Sequence, residues 1–348
     1  MATNQADLVF EGGGVKGIAF GGALKALADA DYEIKNVAGT SAGAIAAALV
    51  AAGYDAEELD ALLQAMPFKK FQDESGIDRF PGGKLVSLLS ELGVYEGKFF
   101  QTWITERLAD KDVVTFGDLL NPDADPDDPD QRWRLRVIAS DVTNRRLLVL
   151  PKDAPRLGVE PDELNVGYAV RMSMSIPIFF EPVVHENGGE KTVIVDGGML
   201  SNFPVWLFDR KGKRPRWPTF GLLLAEPEPR EEIGKRLDNE QQIGERGSIV
   251  DYVKDMALTM LAAHDRLYLD NATYARTVPV PTLGVGTTEF DISEDRIQAL
   301  RDSGEGAMKA FLDDWDFQRY LSEVRDQPLR GRRELLSALQ GGEEGAGS

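Results

Sequence analysis

Residues 34–53 read I-K-N-V-A-G-T-S-A-G-A-I-A-A-A-L-V-A-A-G. This stretch contains a short segment that ends in Val-Ala, then a serine flanked by glycines, then an alanine-rich run. Residues 34–38 predict a strand that runs into the glycines. The alanine-rich run at residues 42–52 predicts a helix that ends at Gly53. The stretch therefore predicts a sharp strand-to-helix turn that presents one serine.

Ser41 lies at this turn, two residues from Gly39 and two from Gly43. In a nucleophile elbow the serine has a strained backbone, and the residues two positions away approach so closely that they must be glycine. The small Thr40 and Ala42 suit that crowding. G-x-S-x-G is a short pattern, so a glycine-capped turn without chemistry is the alternative interpretation.

A similar unit precedes this stretch. Residues 8–10 are a short apolar run, and residues 18–30 carry apolar side chains at helical spacing. Strand, helix, strand and helix within residues 1–53 predict a parallel sheet covered by helices. The fold class is therefore α/β.

The rest of the chain continues both kinds of segment. Apolar runs predict strands at residues 135–139, 146–150, 193–195 and 220–224. Helical spacing predicts helices within residues 57–66, 82–120, 248–269 and 293–315. The Pro- and Asp-rich residues 122–131 predict an exposed loop rather than a domain boundary.

The charge of the chain argues against a nucleic-acid partner. There are 39 Lys and Arg residues against 58 Asp and Glu residues, which gives a net charge of −19. That charge repels phosphate backbones, so no nucleic-acid binding is expected. It also repels anionic lipid headgroups, unless basic residues cluster on one face.

The chain contains no cysteine, which excludes disulfides, thiolate metal sites and a cysteine nucleophile. The start, M-A-T-N-Q-A-D-L-V-F, lacks the basic and apolar regions of a signal peptide. The longest strongly apolar run, residues 42–52, is shorter than the ~20 residues of a membrane-spanning helix. These features predict a soluble, cytoplasmic protein whose contact with membranes is peripheral.

G-G-G-V-K-G, residues 12–17, lies between the first strand and the first helix. Glycines let successive N–H groups turn outward around an oxygen anion, and the helix start adds positive potential. The same letters fit the dinucleotide pattern G-x-G-x-x-G, which requires an acidic residue at the end of the second strand. That strand ends at residues 39–41 instead, so nucleotide binding is the weaker interpretation.

V-D-G-G, residues 195–198, offers a candidate base. An acid followed by two glycines is, by itself, most often an ordinary turn. Because Gly197 and Gly198 add no bulk, Asp196 can approach a serine hydroxyl directly. A free aspartate, with a pKa near 3.9, is a weak base, and burial beside an apolar site raises its pKa toward neutrality.

A histidine base is the alternative. Ser41, Asp196 and His264 follow the chain order of an α/β-hydrolase triad. His264 lies in the helix-like M-L-A-A-H-D-R-L-Y-L, where a partly exposed position is expected, and His185 lies in a polar turn. An elbow after only two strands also does not suit that fold, so the sequence favours a Ser41–Asp196 dyad without histidine.

Together these motifs resemble the patatin-like phospholipases, a family of serine lipid acyl hydrolases. Family members carry a G-G-G-x-[R/K]-G loop, a G-x-S-x-G nucleophile and a D-G-[G/A] base in this order. R-M-S-M-S-I-P at residues 171–177 is similar to the family's Ser-x-Pro block. Residues 202–204, N-F-P, and residues 287–293, T-T-E-F-D-I-S, are also similar to its pattern.

The resemblance implies one three-layer α/β/α domain over residues 7–315, with a mainly parallel central sheet. Within it, residues 67–133 match no motif and are expected to form a helical cap insertion. Lys16 stands where many members have arginine, as an electrostatic aid or as a solvated surface lysine. Residues 316–340 are expected to be a helical extension, and residues 341–348 a disordered tail.

The resemblance also implies the chemistry. Ser41 is the expected nucleophile and Asp196 the expected base, with no metal or cofactor. The substrate is expected to be a lipid ester at a membrane or micelle surface. The expected oxyanion loop comprises Gly12, Gly13, Gly14, Val15, Lys16 and Gly17, with Gly39 and Gly43 at the elbow and Gly197 and Gly198 at the base.

Lipid contact has its own candidates. Residues 67–71 pair aromatics with lysines, residues 85–100 are apolar, and residues 179–180 are both phenylalanine. These segments are expected to cap or line an acyl site, and packing into the core is the alternative for each. Besides the acyl hydrolase, two other functions stay open: nucleotide binding at residues 12–17 and a non-catalytic lipid-binding scaffold.

Overall fold

The computed structural model describes residues 4–66, 95, 97–125, 129–209, 214–226 and 271–322. The strands are β1 Asn4–Phe10, β2 Tyr32–Thr40, β3 Leu135–Asp141, β4 Arg146–Leu150, β5 Val183–Asn187, β6 Glu190–Asp196, β7 Thr219–Ala225 and β8 Thr277–Pro281. The helices are α1 Ala19–Asp29, α2 Ala42–Ala51, α3 Ala56–Gln64, α4 Lys98–Ala109, α5 Val166–Ser173, α6 Asn271–Ala275, α7 Glu294–Asp314 and α8 Phe317–Tyr320.

All eight of these strands form one sheet, and its centre is parallel. β1 pairs in parallel with β2 on one side and with β7 on the other. β3 extends the parallel part beyond β2, and β8 extends it beyond β7. The remaining strands, β4, β5 and β6, add antiparallel pairs. The predicted α/β class and mainly parallel central sheet are confirmed.

One edge of β3 is shared by two strands. β4 pairs with residues 137–141 along one edge, so β2 and β6 must follow each other along the opposite edge. Thr40 of β2 pairs with Ile138, and Asp196 of β6 pairs with Ala139. The residue before Ser41 and the predicted base therefore occupy consecutive positions along β3.

The sheet is covered on both faces. Alternate residues of a strand point to opposite sides, and β1 shows this alternation. Leu8 and Phe10 belong to the large core that contains α1 and α2. Val9 belongs to a smaller cluster with Phe203 and Val205 on the other side. The sheet is thus a middle layer that carries the loops at its strand ends.

The helix α7 packs very closely against α1. A side chain at Gly22 of α1 would overlap the carbonyl of Arg301, and one at Gly304 of α7 would overlap the carbonyl of Ala19. Ser293 caps the start of α7, which agrees with the helix predicted over residues 293–315. The C-terminal part of the chain is thereby joined to the first helix after the glycine loop.

The helix α4 belongs to the core rather than to a separate cap. Its Phe100, Ile104 and Leu108 are all buried, and they join the main core cluster. The first part of the expected cap, residues 67–94, lies outside the described residues, as does the predicted helix at residues 248–269. None of the helices in the described part of the chain is long and apolar enough to cross a membrane.

Two strands were not predicted. Val183–Asn187 is short and half polar, and Thr277–Pro281 contains two prolines. Prolines remove ladder donors and normally argue against a strand. Here β8 is at an edge of the sheet, where an unpaired side can accommodate them. Neither segment carried a pattern that sequence periodicity recognises.

Candidate active site

Ser41 is at the tip of a sharp turn between β2 and α2. Its φ of 55° and ψ of −125° lie outside the regions that side-chain-bearing residues prefer. It is only 3% exposed, and its carbonyl accepts the N–H of Ala44 at 2.9 Å as α2 begins. The predicted elbow, with a strained serine, is thus present in the structure.

The two flanking glycines are required by the packing of this turn. A side chain at Gly39 would overlap the carbonyl of Gly43, and a side chain at Gly43 would overlap the carbonyl of Phe10. The crossing of β2, α2 and the end of β1 therefore leaves no room for a Cβ at either position. This is the close approach that the G-x-S-x-G spacing predicts.

Asp196 ends β6 next to this turn, because β3 holds it beside the end of β2. It is fully buried, and its Oδ1 accepts the N–H of Gly198 at 2.7 Å. Its Oδ2 is buried without a hydrogen-bond partner among the described residues. Burial raises the pKa of Asp196 from 3.8 to about 7, against smaller lowering effects from Ser41 and Gly198.

The Ser41 hydroxyl is close enough to Asp196 to lower the pKa of its carboxyl group. The two groups nevertheless do not form a hydrogen bond of ordinary geometry, since Oδ2 of Asp196 has no partner in the described part of the chain. Catalytic hydrogen bonds are often loose before a ligand binds. The two groups are therefore adjacent without a hydrogen bond of standard geometry.

The glycine loop lies against the same serine. A Cβ at Gly12 would be 3.0 Å from the Cβ of Ser41, and one at Gly17 would be 3.3 Å from the Cβ of Ala42. The loop enters a short 3-10 turn, Gly14–Ile18, before α1 begins. The structure thus brings the first two predicted motifs into contact.

Three amide groups of this loop are already committed. The N–H of Gly12 donates to Asn202, that of Val15 to Thr287 and that of Lys16 to Gly13, at distances of 3.1, 3.1 and 3.3 Å to the three carbonyl oxygens. Their donors therefore hold the loop in place. The sequence predicted that residues 12–17 together hold an anion, but these three N–H groups already have acceptors and are not available for one.

Gly13 and Gly14 differ from these three residues. Their N–H groups donate to no acceptor among the described residues. Gly14 has a φ of 57°, and Gly14 and Gly17 line the cleft beside Ser41. Successive free amides in such a bend form a concave site for a negative oxygen.

Lys16 is buried rather than solvated. Its side chain is 9% exposed, and its Nζ lies 2.6 Å from Oε1 of Glu226, whose side chain is 50% exposed. Glu226 directly follows β7, so the ion pair joins the glycine loop to the neighbouring strand end. Of the two interpretations of Lys16, the burial contradicts the solvated surface lysine, and the ion pair supports a positional or electrostatic role at the loop.

The Ser-x-Pro block contacts both halves of the site, which sequence reasoning did not predict in detail. The Oγ of Ser173 accepts the N–H of Ser41 at 2.9 Å. The carbonyl of Ser175 accepts the N–H of Asp196 at 2.9 Å. Arg171, also buried, donates to Ser175 Oγ. The sequence showed the serines of this block, but it could not show their partners, because Ser41 and Asp196 are distant in the chain.

A cleft of about 540 Å³, counted with its open mouth, begins at Ser41. Its walls are almost wholly apolar and include the predicted Phe180 and the end of residues 85–100. The lining residues are Gly14, Gly17, Ile18, Ser41, Ala42, Ile45, Leu63, Met66, Phe100, Met174, Ile176, Phe180 and Phe290. Phe179 is not among them and packs against the core instead.

The family model for patatin-like phospholipases matches residues 8–209, more than half of the chain. The match includes the glycine loop, Ser41 and Asp196. The chain belongs to the patatin-like phospholipase family. The family resemblance of the sequence motifs is therefore confirmed.

Three of the proteins that this chain resembles come from bacteria. The uncharacterized protein YqhO of Bacillus subtilis (strain 168) is 38% identical over 313 residues, which are 89% of this chain and 99% of YqhO. An uncharacterized NTE family protein of Mycobacterium bovis is 31% identical over 209 residues, 59% of this chain but 28% of that protein. VipD from Legionella pneumophila shares the fold, with a TM-score of 0.50, 18% identity and coverage of 88% of this chain and 66% of VipD.

Histidine does not enter this patatin-like site within the described residues. His185 is on β5, where its Nδ1 lies 3.2 Å from the Tyr168 hydroxyl and its Nε2 lies 2.8 Å from the Leu157 carbonyl. His264 lies outside the described residues. No group of acidic or histidine side chains in the described ranges could hold a metal ion.

Proposed function

We propose that this patatin-like protein is a serine acyl hydrolase that cleaves fatty-acyl esters of phospholipids or related lipids. Ser41 is the nucleophile and Asp196 the general base. One observation carries the proposal: a strained serine that lines an apolar cleft lies beside a buried carboxylate with an oxygen that is unpartnered in the described part of the chain.

The environment of Asp196 suits a base. Its pKa of about 7 leaves a substantial fraction ionised at neutral pH and makes the carboxylate a stronger proton acceptor than a solvated one. Oδ1 is held by Gly198, so Oδ2 is the oxygen that takes the proton of the Ser41 hydroxyl. A histidine relay is not needed for this transfer.

The first half of the reaction forms an acyl-enzyme. Ser41 Oγ attacks the ester carbonyl while its proton passes to Asp196. The tetrahedral oxyanion is held by the N–H groups of Gly13 and Gly14, and one such donor contributes about 2.7–4 kcal/mol to the transition state. Collapse of the intermediate breaks the ester bond, and Asp196 returns the proton to the leaving alcohol.

The second half releases the fatty acid. A water molecule gives its proton to Asp196 and attacks the acyl-enzyme carbonyl. The second oxyanion uses the same two amides. Collapse returns the proton from Asp196 to Ser41, and the products are a free fatty acid and the regenerated enzyme.

The cleft argues for an acyl chain as the bound group. It offers apolar walls from Ile45, Phe100 and Phe180, and Ser41 is the one polar side chain among the described residues that line it. Burial of each methylene of a chain there contributes about 0.8 kcal/mol. The lipid is drawn from a membrane or micelle surface, with peripheral contact and no nucleic acid involved.

The nucleotide alternative is weakened by the charges around the glycine loop. Lys16 is neutralised by Glu226. Glu11 begins the loop, and its carboxylate accepts from the Leu224 N–H and from Asn202. Two carboxylates beside the loop would repel a diphosphate, whereas a single transient oxyanion needs only the two amides.

The test is hydrolysis of a mixed lipid extract, followed by mass spectrometry of the products. The wild-type protein is expected to release fatty acids and lysolipids, and Ser41→Ala to release none. A scaffold without catalysis would give identical product spectra for both proteins. Labelling of Ser41 by a fluorophosphonate would exclude that scaffold, and a nucleotide-dependent rise in melting temperature would favour the rival class.

A further inference from the structure

The backbone amide of Ser41 needs an acceptor that its own strand and helix do not supply. At a φ of 55° the residue has left β2 but has not yet entered α2. A buried N–H without a partner is costly, so such an amide is nearly always paired. Here the partner is a side chain, the Oγ of Ser173, at 2.9 Å.

Ser173 is itself rigidly placed. It is the last residue of α5, whose first turn is capped by Asn165 through the Tyr168 N–H at 2.8 Å. Ala169, Val170 and Ser173 are all fully buried. Because Ser173 is packed in place, its hydrogen bond to the Ser41 N–H restrains the turn that carries Ser41.

The next residues of the same segment hold the base. The Ser175 carbonyl accepts the Asp196 N–H at 2.9 Å. Ser175 is in turn held by its Oγ, which donates to the Arg171 carbonyl at 2.8 Å. Two positions of one short segment thus fix the backbones of both proposed catalytic residues.

These two contacts differ in chemistry. The one to Asp196 uses a main-chain carbonyl, which any residue at position 175 supplies. The one to Ser41 uses a hydroxyl, which only a few residue types supply at position 173. We propose that Ser173 is a positioning residue that holds Ser41 in its strained conformation at reaction distance from Asp196.

This inference rests on the proposed nucleophilic role of Ser41. The experiment measures the rate of fluorophosphonate labelling of Ser41, together with kcat and KM for a short-chain ester, in wild type and Ser173→Ala. Thr277→Val is the control, because it removes another buried hydroxyl, bonded to the Thr273 carbonyl at 2.7 Å, on an edge strand.

In Ser173→Ala, labelling and kcat are expected to fall about 10- to 100-fold, the usual effect of misplacing a reacting group by about 1 Å. KM is expected to stay within about twofold, because the apolar cleft is unchanged. The pH midpoint of kcat is expected to stay where it is, because Asp196 keeps its own contacts. Thr277→Val is expected to lose melting temperature but to label at the wild-type rate.

Two conservative variants cover the case in which Ser173→Ala does not fold. Ser173→Thr keeps the acceptor and is expected to stay within about fivefold of wild type, while Ser173→Cys, a weaker acceptor, is expected to lie well below it. Equal labelling of folded Ala or Cys variants and wild type would overturn the inference. Absence of Ser41 labelling in the wild type would instead overturn the proposed function.

Discussion

Two aspartates of this molecule, Asp7 and Asp196, are both buried, but their carboxylates have different hydrogen-bond partners. Asp7 lies on β1 beside the start of β7, and Asp196 lies beside the end of β2. One oxygen of Asp7 accepts three hydrogen bonds, from the Asn36 N–H, the Asn36 side chain and the Trp217 ring. One oxygen of Asp196 accepts a single N–H, and its other oxygen has no partner among the described residues.

Burial raises the pKa of both carboxyl groups, to about 6 for Asp7 and to about 7 for Asp196. The donors of Asn36 and Trp217, with the nearby charge of Arg136, offset part of the effect at Asp7. The difference teaches that burial alone does not mark a catalytic acid. The Asp7 carboxylate, whose one oxygen accepts three hydrogen bonds, joins neighbouring strands, whereas the Asp196 carboxylate, with a buried oxygen near a serine that is unpartnered within the described ranges, suits the proposed proton acceptor.

The largest expected effect separates the two aspartates by activity. Asp196→Ala is expected to lower kcat/KM for lipid esters by about 10⁴-fold or more, as loss of a member of a catalytic unit does. Asp7→Ala is expected to retain activity within about threefold per folded molecule. Steady-state assays normalised to folded protein check this, and comparable losses in both variants would refute the distinction.

The second effect tests the glycine loop beside Ser41. A side chain at Gly14 would overlap the carbonyl of Thr287 and would also be strained by the φ of 57°. Gly14→Ala is therefore expected to displace the free amides and lower kcat about 10²- to 10³-fold. Gly306→Ala, at a position with open space on α7, is the control and is expected to leave kcat unchanged. Chemical denaturation would show whether both variants stay folded.

For the free energy of unfolding, the larger loss is expected in Asp7→Ala and the smaller one in Asp196→Ala. Asp7→Ala leaves the donors of Asn36 and Trp217 unpaired and is expected to lower the free energy of unfolding by about 2–4 kcal/mol. Asp196→Ala orphans only the Gly198 N–H and removes a buried charge, so at pH 8 its loss is expected to stay below about 1 kcal/mol. Urea unfolding of both variants measures the difference. A larger loss in Asp196→Ala would contradict the comparison.

The pH dependence follows from the raised pKa of Asp196. The base must be ionised, so kcat is expected to rise about tenfold per pH unit below pH 7 and to level off above it. The free energy of unfolding is expected to change in the opposite direction. Between about pH 4 and pH 7 Asp196 keeps a proton in the native state that it has lost in the unfolded chain, so the stability of the native state decreases as the pH rises. Asp7→Asn is expected to leave the activity midpoint unchanged. A midpoint near pH 4 would show that Asp196 is solvated.

The smallest expected effect concerns the histidines. If Asp196 alone accepts the proton, His264→Ala and His185→Ala are expected to keep kcat/KM within about threefold of wild type. Enzyme assays on the two variants check this. A folded but inactive His264→Ala protein would restore the triad that the chain order allowed.

The elbow and its glycines could be predicted because their requirements are local. Gly39, Ser41 and Gly43 are close in sequence, and the crowding between them follows from one turn. The central strands were predicted for a similar reason, since buried parallel strands are continuous apolar runs. Asp196 was found through the glycines that follow it and through the family resemblance.

Other parts of the site depend on contacts that the sequence does not display. The sequence did not distinguish a solvated Lys16 from one that acts at the loop. In the structure Lys16 is buried and paired with Glu226, which follows β7 much later in the chain. The acceptor at Ser173 and the carbonyl at Thr287 are supplied by segments that meet the elbow and the loop only in the folded sheet. Periodicity also missed β8, because its prolines are tolerated only at an edge.

The arrangement along β3 has a consequence for truncated forms of this protein. The glycine loop and Ser41 precede β3 in the chain, whereas Asp196 is placed beside Thr40 only by the pairing of β6 with β3. Under the proposed mechanism, a chain that ends before β6 carries the nucleophile without its proton acceptor, and we expect it to be inactive.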